Sequence, residues 1–428
     1  MTPLDKAIQS KTFCIYPWIQ QYIDTNGEVK PCCIFSPNDK GIGNLKDNSL
    51  KELWNNSATK QLRLDMLNGV EISKCERCNV REGVTRVQRT EANASWMGDM
   101  AYPSWINITK NIVDSTNSDG SIDEHKLLYI DARFNNLCNL RCRTCSPHYS
   151  TSWHKDYETL GKDMSQYPKT LMFPGNNQEH LLEEILPHIG QVKRLYFAGG
   201  EPLMQIEHYK ILEELIKTEN YRVSIIYSTN FSTLKLGKHN ACDYWNKLLF
   251  VHIQASLDGS YKRAEYWRKG TDWNEIVENI QTLRKQAPNV TFNIGFTLSW
   301  PNAFNLVDLH KEWTQLGYIG IDDINVNILD SPTMYSLKSI PNFKKKKIET
   351  LFNEQIQWLS DNYASSKTIN QYRDAINFMN SVDTNEFIDV DTFVKRTEEL
   401  DKLRNENFWE VFPEHQDMKE FIYGLNTL

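Results

Sequence analysis

The sequence predicts an α/β fold, in which a partial (β/α)6 barrel lies between a cysteine-rich N-terminal module and a helical C-terminal extension. Three observations indicate this order. Short β-rich runs alternate with helical stretches between residues 126 and 335, eight of the nine cysteines fall within the first 145 residues, and the chain beyond 340 reads as mainly helical. The expected limits are 1–95 for the module, 96–125 for a linker, 126–335 for the barrel and 336–428 for the extension.

Composition places this chain of 428 residues among ordinary globular proteins, with 40% hydrophobic and 24% charged residues. No apolar run approaches the roughly 18 residues of a membrane span, and the N-terminus lacks a signal-peptide pattern. We therefore expect a cytoplasmic protein with no membrane partner, in a reducing compartment where clustered cysteines bind metals. A net charge of −7 argues against a nucleic-acid surface, and the basic run Lys344–Lys347 is expected on the solvated face of a helix.

The N-terminal 95 residues carry five cysteines, a tight turn at Thr25–Gly27 and the start of an amphipathic helix near Ser49. Ser49 and Glu52 form a capping-box pattern. The helix would bury one apolar face made of Leu50, Leu53, Trp54, Leu62 and Met66. Pro103 and the polar run 115–120 predict a linker after this module.

The barrel prediction is based on β-rich runs at Lys126–Ala132, Val192–Ala198, Arg222–Ser228, Leu248–Ala255, Val290–Leu298 and Asp323–Leu329. Helical stretches fit between most of them, which implies parallel strands with right-handed crossovers. Ligands of such folds bind at the carboxyl ends of the strands. A cysteine triad follows the first run, and Gly-Gly-Glu-Pro, Ser-Thr-Asn and Ser-Leu-Asp-Gly follow the next three.

The triad consists of Cys138, Cys142 and Cys145. Thiolates at this density bind a soft metal, and a [4Fe-4S] cluster held by three thiolates has one iron open to a cofactor. The alternative is structural zinc, with His148 or His154 as a fourth ligand. The triad by itself leaves both alternatives open, but structural zinc has no use for Gly-Gly-Glu-Pro at the next strand end.

The triad spacing followed by Gly-Gly-Glu-Pro resembles the radical S-adenosylmethionine (SAM) superfamily over residues 126–335, and this resemblance implies the partial TIM-like (β/α)6 barrel of that family. It also implies that the open iron chelates the methionine part of SAM, and that reductive cleavage yields a 5'-deoxyadenosyl radical. The cofactor-binding residues that it implies lie at the strand ends, namely Gly199, Gly200, Glu201, Pro202, Ser228, Asn230, Ser256 and Asp258. Their alternative role is to form turns and helix caps.

The N-terminal cysteines Cys14, Cys32, Cys75 and Cys78 form a second candidate metal site. Two pairs of thiolates are also typical of a zinc ribbon, which stays the alternative. The spacing resembles the twitch module, the smaller relative of the SPASM domain, which holds an auxiliary [4Fe-4S] cluster. Such modules usually follow the barrel. Here the module precedes it, as in twitch-domain-containing radical SAM proteins that largely lack an assigned substrate.

Two further cysteines have no ligand role in this scheme. Cys242 is expected to be a small buried apolar residue. Cys33 adjoins Cys32, so its side chain should point away from the cluster if the segment is extended. It is either inert packing or a candidate catalytic thiol that donates a hydrogen atom or ligates metal.

The sequence therefore predicts a two-cluster radical SAM enzyme that abstracts a hydrogen atom from an unactivated C–H bond and oxidises its substrate. A flavodoxin or ferredoxin type of electron donor is implied, and no nucleic acid. The substrate is a peptide or a small polar metabolite, and the lack of an identifiable peptide-docking module before Cys14 favours the metabolite. The alternatives are a peptide-modifying maturase or epimerase and a non-enzymatic zinc-binding regulatory protein.

Overall fold

The computed structural model describes residues 1–35, 40–81, 88–167 and 171–424. Its strands, in chain order, are β1 Gln20–Ile23, β2 Glu28–Lys30, β3 Gly43–Asn44, β4 Tyr129–Ala132, β5 Arg141–Cys142, β6 Arg194–Phe197, β7 Ser224–Thr229, β8 Lys235–Leu236, β9 His239–Asn240, β10 Phe250–Ala255, β11 Arg268–Lys269, β12 Thr291–Leu298 and β13 Ile324–Ile328.

The α-helices are α1 Pro3–Gln9, α2 Tyr16–Ile19, α3 Leu50–Trp54, α4 Ser57–Leu67, α5 Glu76–Arg81, α6 Gln88–Met97, α7 Pro103–Asp114, α8 Trp153–Thr159, α9 His180–Ile185, α10 Ile206–Lys217, α11 Ala241–Trp245, α12 Tyr261–Trp267, α13 Trp273–Gln286, α14 Ala303–Gln315, α15 Asn342–Asp361, α16 Ser366–Asn380, α17 Val390–Arg404, α18 Phe408–Val411 and α19 Gln416–Tyr423. Within the described ranges, no helix is long and apolar enough to cross a membrane.

The chain forms two compact units. The first contains residues 1–136, 170–226 and 247–250, and the second contains 137–169, 227–246 and 251–428. Each of the six predicted barrel runs contains a strand, and these strands are β4, β6, β7, β10, β12 and β13. The strands β4 and β6 belong to the first unit, whereas β12 and β13 belong to the second. The predicted α/β alternation is confirmed.

In the first unit the strands lie in the order β6, β4, β1, β2, β3. The strand β4 is parallel to β6, and β1 is parallel to β4 with Gln20 opposite Tyr129. A hairpin through the predicted turn joins β1 to β2, and Gly27 at this turn has a φ of +87°. The N-terminal module and the first barrel strand therefore share one sheet.

The predicted helix near Ser49 is present with its capping box, but it ends at Trp54. The side chain of Asn56 accepts a hydrogen bond from the backbone N–H of Thr59 and caps a second helix, α4. All five apolar residues predicted to face the core are buried. The single predicted helix is therefore two helices, α3 and α4, because Asn56 caps the start of a new helix after a short break.

The predicted linker 96–125 contains the last two residues of α6 and all of α7. Pro103 occupies the first turn of α7, where its missing N–H costs no helical hydrogen bond. Trp105, Thr109 and Val113 of this helix are buried. Pro103, which served as a linker signal, thus begins a helix, and the limits 96–125 of the linker stay a prediction.

In the second unit the strands lie in the order β7, β10, β12, β13, and only the carboxyl-terminal half of β7 belongs to this unit. The strand β12 is parallel to both of its neighbours, with Ile294 opposite Ala255 on one side and Ile324 on the other. The short strands β5 and β11 pair antiparallel, with Cys142 opposite Arg268. Cys242 in α11 is fully buried, as expected of an apolar core residue.

The basic run in α15 differs from the expectation of a solvated face. Lys344 and Lys345 are buried, whereas Lys346 and Lys347 are exposed. The ammonium group of Lys344 donates to the Glu414 carbonyl at 2.8 Å and contacts the Asp417 carboxylate at 2.9 Å. Consecutive lysines on a helix point in different directions, so two of them meet acceptors in the extension.

Candidate active site

The four N-terminal cysteines come together in the first unit. Cys14 precedes α2, Cys32 follows β2, Cys75 ends a 3-10 turn and Cys78 lies in α5. All four line one pocket. The rest of its lining is mainly apolar and comprises Tyr16, Pro17, Pro31, Phe35, Met66, Gln88 and Arg89. Four thiols that converge from separate elements can supply a complete set of ligands to a metal cluster.

The helix α6 supports this pocket. The side chain of Asn93 accepts from the Ile15 N–H at 2.9 Å and donates to the Phe13 carbonyl at 2.9 Å, so it holds the backbone on both sides of Cys14. Arg89 donates to the Asn79 side chain at 2.9 Å, and its positive charge favours the thiolate forms of Cys14 and Cys75. Sequence reasoning missed both residues, because the only signal was their place beside a predicted linker.

Burial controls the protonation of these thiols. It raises the pKa of Cys14 to about 12 and that of Cys75 to about 11, and it raises the pKa of Cys32 as well. The thiols of these three residues are therefore neutral at pH 7 in the metal-free protein. Metal binding must displace their protons.

Cys33 lies outside the lining of this pocket, and its side chain is exposed. Its Sγ atom is 3.6 Å from Nε2 of Gln88. Surrounding protein atoms and then the charge of Asp131 raise the pKa of Cys33 to about 11, while Arg133 opposes that rise. The expected divergence from Cys32 is thus observed, and the thiol faces the end of strand β4.

The Gly199–Pro202 segment follows β6 in the first unit. Gly199 and Gly200 have φ values of +75° and +48°, which a residue with a side chain adopts only at a cost. A Cβ atom on Gly199 would lie 2.0 Å from Cδ of Arg133. The carboxylate of Glu201 accepts from the Leu203 N–H at 3.1 Å and caps the 3-10 turn Pro202–Met204. The two glycines are half-buried at the end of a strand.

The triad lies in a loop of the second unit. The Leu140 N–H is 3.4 Å from Sγ of Cys138, and the Asn230 amide donates to the same sulfur at 3.7 Å. The Cys145 N–H donates to the Cys142 carbonyl at 3.0 Å, which turns the loop so that these two cysteines approach each other. Asn230, predicted as a cofactor-binding residue, therefore reaches the thiol of Cys138.

Arg268 is a residue that sequence reasoning missed. Its guanidinium lies 3.8 Å from Sγ of Cys142 and 2.8 Å from Oδ2 of Asp258. The other oxygen of Asp258 accepts from the Thr297 N–H at 2.7 Å. Burial raises the pKa of Cys142, and the positive charge of Arg268 opposes that rise. Both oxygens of the buried Asp258 thus accept hydrogen bonds from protein groups, and the carboxylate orients the guanidinium of Arg268 toward the Cys142 thiol.

Ser228 and Ser256 are half-buried at the ends of β7 and β10. The Ser256 N–H donates to the Thr229 carbonyl at 2.7 Å, which brings these two strand ends together. Among the residues that the structure describes, no three His, Cys, Asp or Glu side chains converge on the position of a single metal ion. In a [4Fe-4S] cube each thiolate binds its own iron, and the thiols that line the N-terminal pocket and those of the triad are the donors that such a cluster takes.

Comparison with known families agrees with this arrangement of thiols. Residues 14–79 match the SPASM iron-sulfur cluster-binding domain, and residues 133–298 match the radical SAM superfamily. GTP 3',8-cyclase of Staphylococcus carnosus (strain TM300) is 26% identical over 162 residues, which cover 38% of this chain and 39% of the cyclase.

Two solved structures are similar at lower identity. The anSMEcpe structure with bound AdoMet is 18% identical with a TM-score of 0.38, covering 54% of this chain and 58% of that chain. Streptococcus suis SuiB bound to S-adenosylmethionine is 14% identical with a TM-score of 0.36, covering 72% and 63%. The chain thus spans less than two thirds of each of these proteins. The chain therefore carries a SPASM iron-sulfur cluster-binding domain at residues 14–79, ahead of a radical SAM superfamily domain at residues 133–298.

Proposed function

We propose that this enzyme carries two [4Fe-4S] clusters and catalyses the net two-electron oxidation of a substrate C–H bond. Cys138, Cys142 and Cys145 would hold the cluster that binds SAM. Cys14, Cys32, Cys75 and Cys78 would hold an auxiliary cluster with no open iron. The observation that carries the proposal is the convergence of four thiols on one pocket in the first unit, against three in the triad loop.

When bound, these groups supply a 5'-deoxyadenosyl radical that takes a hydrogen atom from the substrate, and an acceptor for the electron that the substrate then loses along with a proton. The residues of the chain prepare this chemistry. Arg268 donates toward the Cys142 sulfur and favours its thiolate, and Asn230 holds Cys138. The backbone at Gly199 and Gly200, which carries no side chains, would let the methionine amino group of SAM approach closely.

Of the remaining predicted residues, we propose that some bind SAM directly and that others position the groups that bind it. Ser228 and Ser256 are half-buried. We assign Ser256 to the ribose and carboxylate of SAM, as the resemblance implies for the fourth strand end, and Ser228 to the cofactor-binding position at the third strand end. Glu201 and Pro202 shape the Gly199–Pro202 segment through the cap on Leu203. Asp258 acts through Arg268, because its own oxygens are already engaged.

Two external groups complete the reaction. A flavodoxin or ferredoxin type of protein supplies the electron that cleaves SAM, and the same pool re-oxidises the auxiliary cluster. The substrate is a small polar metabolite, with a ribosomally made peptide as the alternative. In either case SAM is consumed stoichiometrically, because the hydrogen atom leaves as 5'-deoxyadenosine.

A second candidate function is favoured by the exposure of Cys33. A thiol beside the auxiliary site, outside its pocket, can return a hydrogen atom to a substrate radical, which gives a redox-neutral epimerisation. The thiyl radical left on Cys33 would then take one electron from the flavodoxin or ferredoxin type of donor, and a proton from water, to restore the thiol. Replacement of Cys33 with Ala should leave both clusters intact. It would abolish epimerisation but would not prevent oxidation, so product analysis separates the two functions.

Metal analysis after anaerobic reconstitution tests the proposal. Wild type should hold about eight irons and little zinc, and conversion of all three triad cysteines to Ala should leave about four. Zinc confined to the N-terminal site would refute the auxiliary cluster. Zinc in both sites would support a non-enzymatic zinc-binding protein and refute the proposed function.

A further inference from the structure

The triad loop is held by charged residues from the C-terminal extension. Two arginines flank the central ligand Cys142, namely Arg141 and Arg143. Each of them pairs with carboxylates, and the carboxylates that reach Arg143 come from α17 and the residues just after it. All of these residues belong to the second unit.

The first arm of this contact runs through Arg141. Its guanidinium lies 2.5 Å from Oδ1 of Asp156 in α8. Arg404, at the end of α17, donates to Oδ2 of the same carboxylate at 3.0 Å and to the Arg141 carbonyl at 3.1 Å. The side chain of Arg404 is 1% exposed. The buried guanidinium of Arg404 thus binds both the backbone carbonyl of Arg141 and the carboxylate that pairs with Arg141, the residue before Cys142.

The second arm runs through Arg143. Its guanidinium contacts Asp401 at 2.5 Å and Glu406 at 3.1 Å, and its own side chain is 1% exposed. Its centre also lies 3.7 Å from the ring centroid of Tyr266, whose hydroxyl donates to Asp401 at 2.7 Å. Lys269 pairs with Glu406 at 2.8 Å and adjoins Arg268, the residue that contacts Cys142.

We propose that the C-terminal extension is part of the cluster-binding machinery, with Asp401, Arg404 and Glu406 as positioning residues for the triad loop. This inference rests on the proposed function, since it assumes a cluster on the triad. Buried ion pairs are costly to break from one side, because the partner is left charged without compensation. A loop whose shape depends on them should release its cluster when one partner is removed.

The test compares Asp401→Asn and Arg404→Gln with Glu399→Gln. Glu399 lies on the same helix and pairs with Lys162 at 3.0 Å, outside the triad loop, so it is the matched control. Two quantities are measured on anaerobically reconstituted full-length protein: the rate of iron release to a chelator, and the change that SAM causes in the electron paramagnetic resonance (EPR) signal of the reduced protein.

Asp401→Asn and Arg404→Gln should release about four irons roughly 10-fold faster than wild type, because outer partners of ligands commonly contribute that factor. They should also lose most of the SAM-dependent EPR change, whereas Glu399→Gln should behave as wild type. If either variant does not fold, Glu406→Gln decides, since Glu406 pairs with Arg143 from beyond the end of α17 and its change leaves the helix itself intact.

Release rates and a SAM response equal to those of wild type in the folded variants would overturn the inference alone. Equal losses in Glu399→Gln would also overturn it, because the effect would then belong to the whole helix. Absence of any SAM-responsive cluster in wild type would refute the proposed function and this inference with it.

Discussion

The two thiol-bearing regions reach their geometry in different ways. The N-terminal cysteines span residues 14–78 and approach one another from α2, β2 and α5, so the packing of the first unit places them. The triad occupies residues 138–145, a single loop whose shape is held by Arg268, Asn230 and the ion pairs of α17. The geometry of a site built from separate elements depends on the packing of the core, whereas the geometry of a site on one loop depends on the polar side chains that contact the loop.

The two regions should differ most in their effect on the cleavage of SAM, which is measured in two variants that each lose one thiolate. Cys142→Ala should abolish the formation of 5'-deoxyadenosine from SAM under a strong reductant, because the cube that chelates SAM is lost. Cys75→Ala should retain this cleavage and lose only the irons of the auxiliary site. Chromatographic quantification of deoxyadenosine checks both.

Equal yields of deoxyadenosine from wild type and Cys142→Ala would contradict the assignment of the triad. Loss of cleavage in Cys75→Ala would instead show that the two regions are not independent. Cys242→Ser is the control for a buried thiol outside both sites.

Arg268→Gln sharpens the comparison, because it removes the cation next to Cys142 and keeps all three ligands. We expect a lower reduction potential of the triad cluster and SAM cleavage slowed by about 10-fold, with the auxiliary cluster unaffected. Redox titration followed by EPR measures both potentials.

The matched control for this cation is Arg284→Gln in α13. The guanidinium of Arg284 donates to the Tyr318 carbonyl at 3.0 Å, so its removal takes a positive charge from the second unit without touching the triad loop. The potential of the triad cluster should be the same in Arg284→Gln as in wild type. An unchanged potential in Arg268→Gln would argue against a role for the contact with Cys142.

Gly200→Val tests the segment after β6. A β-branched residue at a φ of +48° is strained, and we expect SAM affinity to fall by about 10-fold with iron content unchanged. Gly237 has a similar φ of +56°, and a Cβ atom added there would meet no heavy atom of the described residues within 4 Å. Gly237→Val therefore reports the strain alone, and equal SAM affinities for the two variants would contradict a binding role for Gly200.

The smallest expected effect concerns pH. Burial raises the pKa of Cys14 and of Cys145 to about 12, so the folded metal-free protein keeps protons that the unfolded chain releases above about pH 9. This contribution to stability is fully present below that pH and is lost as the pH rises toward 12. In Cys14→Ser and in Cys145→Ser, the melting temperature of the metal-free protein should fall less steeply between pH 8 and 10 than in wild type, by a few degrees. Parallel curves of melting temperature against pH for wild type and both variants would count against buried neutral thiols.

Much of the fold could be predicted because its signals are local. The apolar runs that become β4, β6, β7, β10, β12 and β13 are each short and bounded by turn residues, and the capping box at Ser49 starts a helix as expected. The cysteine spacing likewise predicted two groups of thiols, and the four N-terminal cysteines line one pocket in the structure. Local sequence patterns carry this information by themselves.

The rest depends on contacts between distant residues. Lys344 looks solvated in sequence, and only the fold supplies Glu414 and Asp417 as its partners. The resemblance implies that Asp258 binds the cofactor, which stays a prediction, and only the fold shows that Arg268 and Thr297 engage both of its oxygens. Neither the pairing of β1 with β4 nor the ion pairs from α17 to the triad loop has a local signature.

The central claim is that the triad cluster has an open iron for SAM and the N-terminal cluster has none. Electron–nuclear double resonance with SAM labelled in its methionine carboxylate tests this directly, in Cys75→Ala and in the variant with all three triad cysteines changed to Ala. The label should couple to the cluster that remains in Cys75→Ala and should show no coupling in the triad variant. Coupling in the triad variant, or its absence in Cys75→Ala, would contradict the claim.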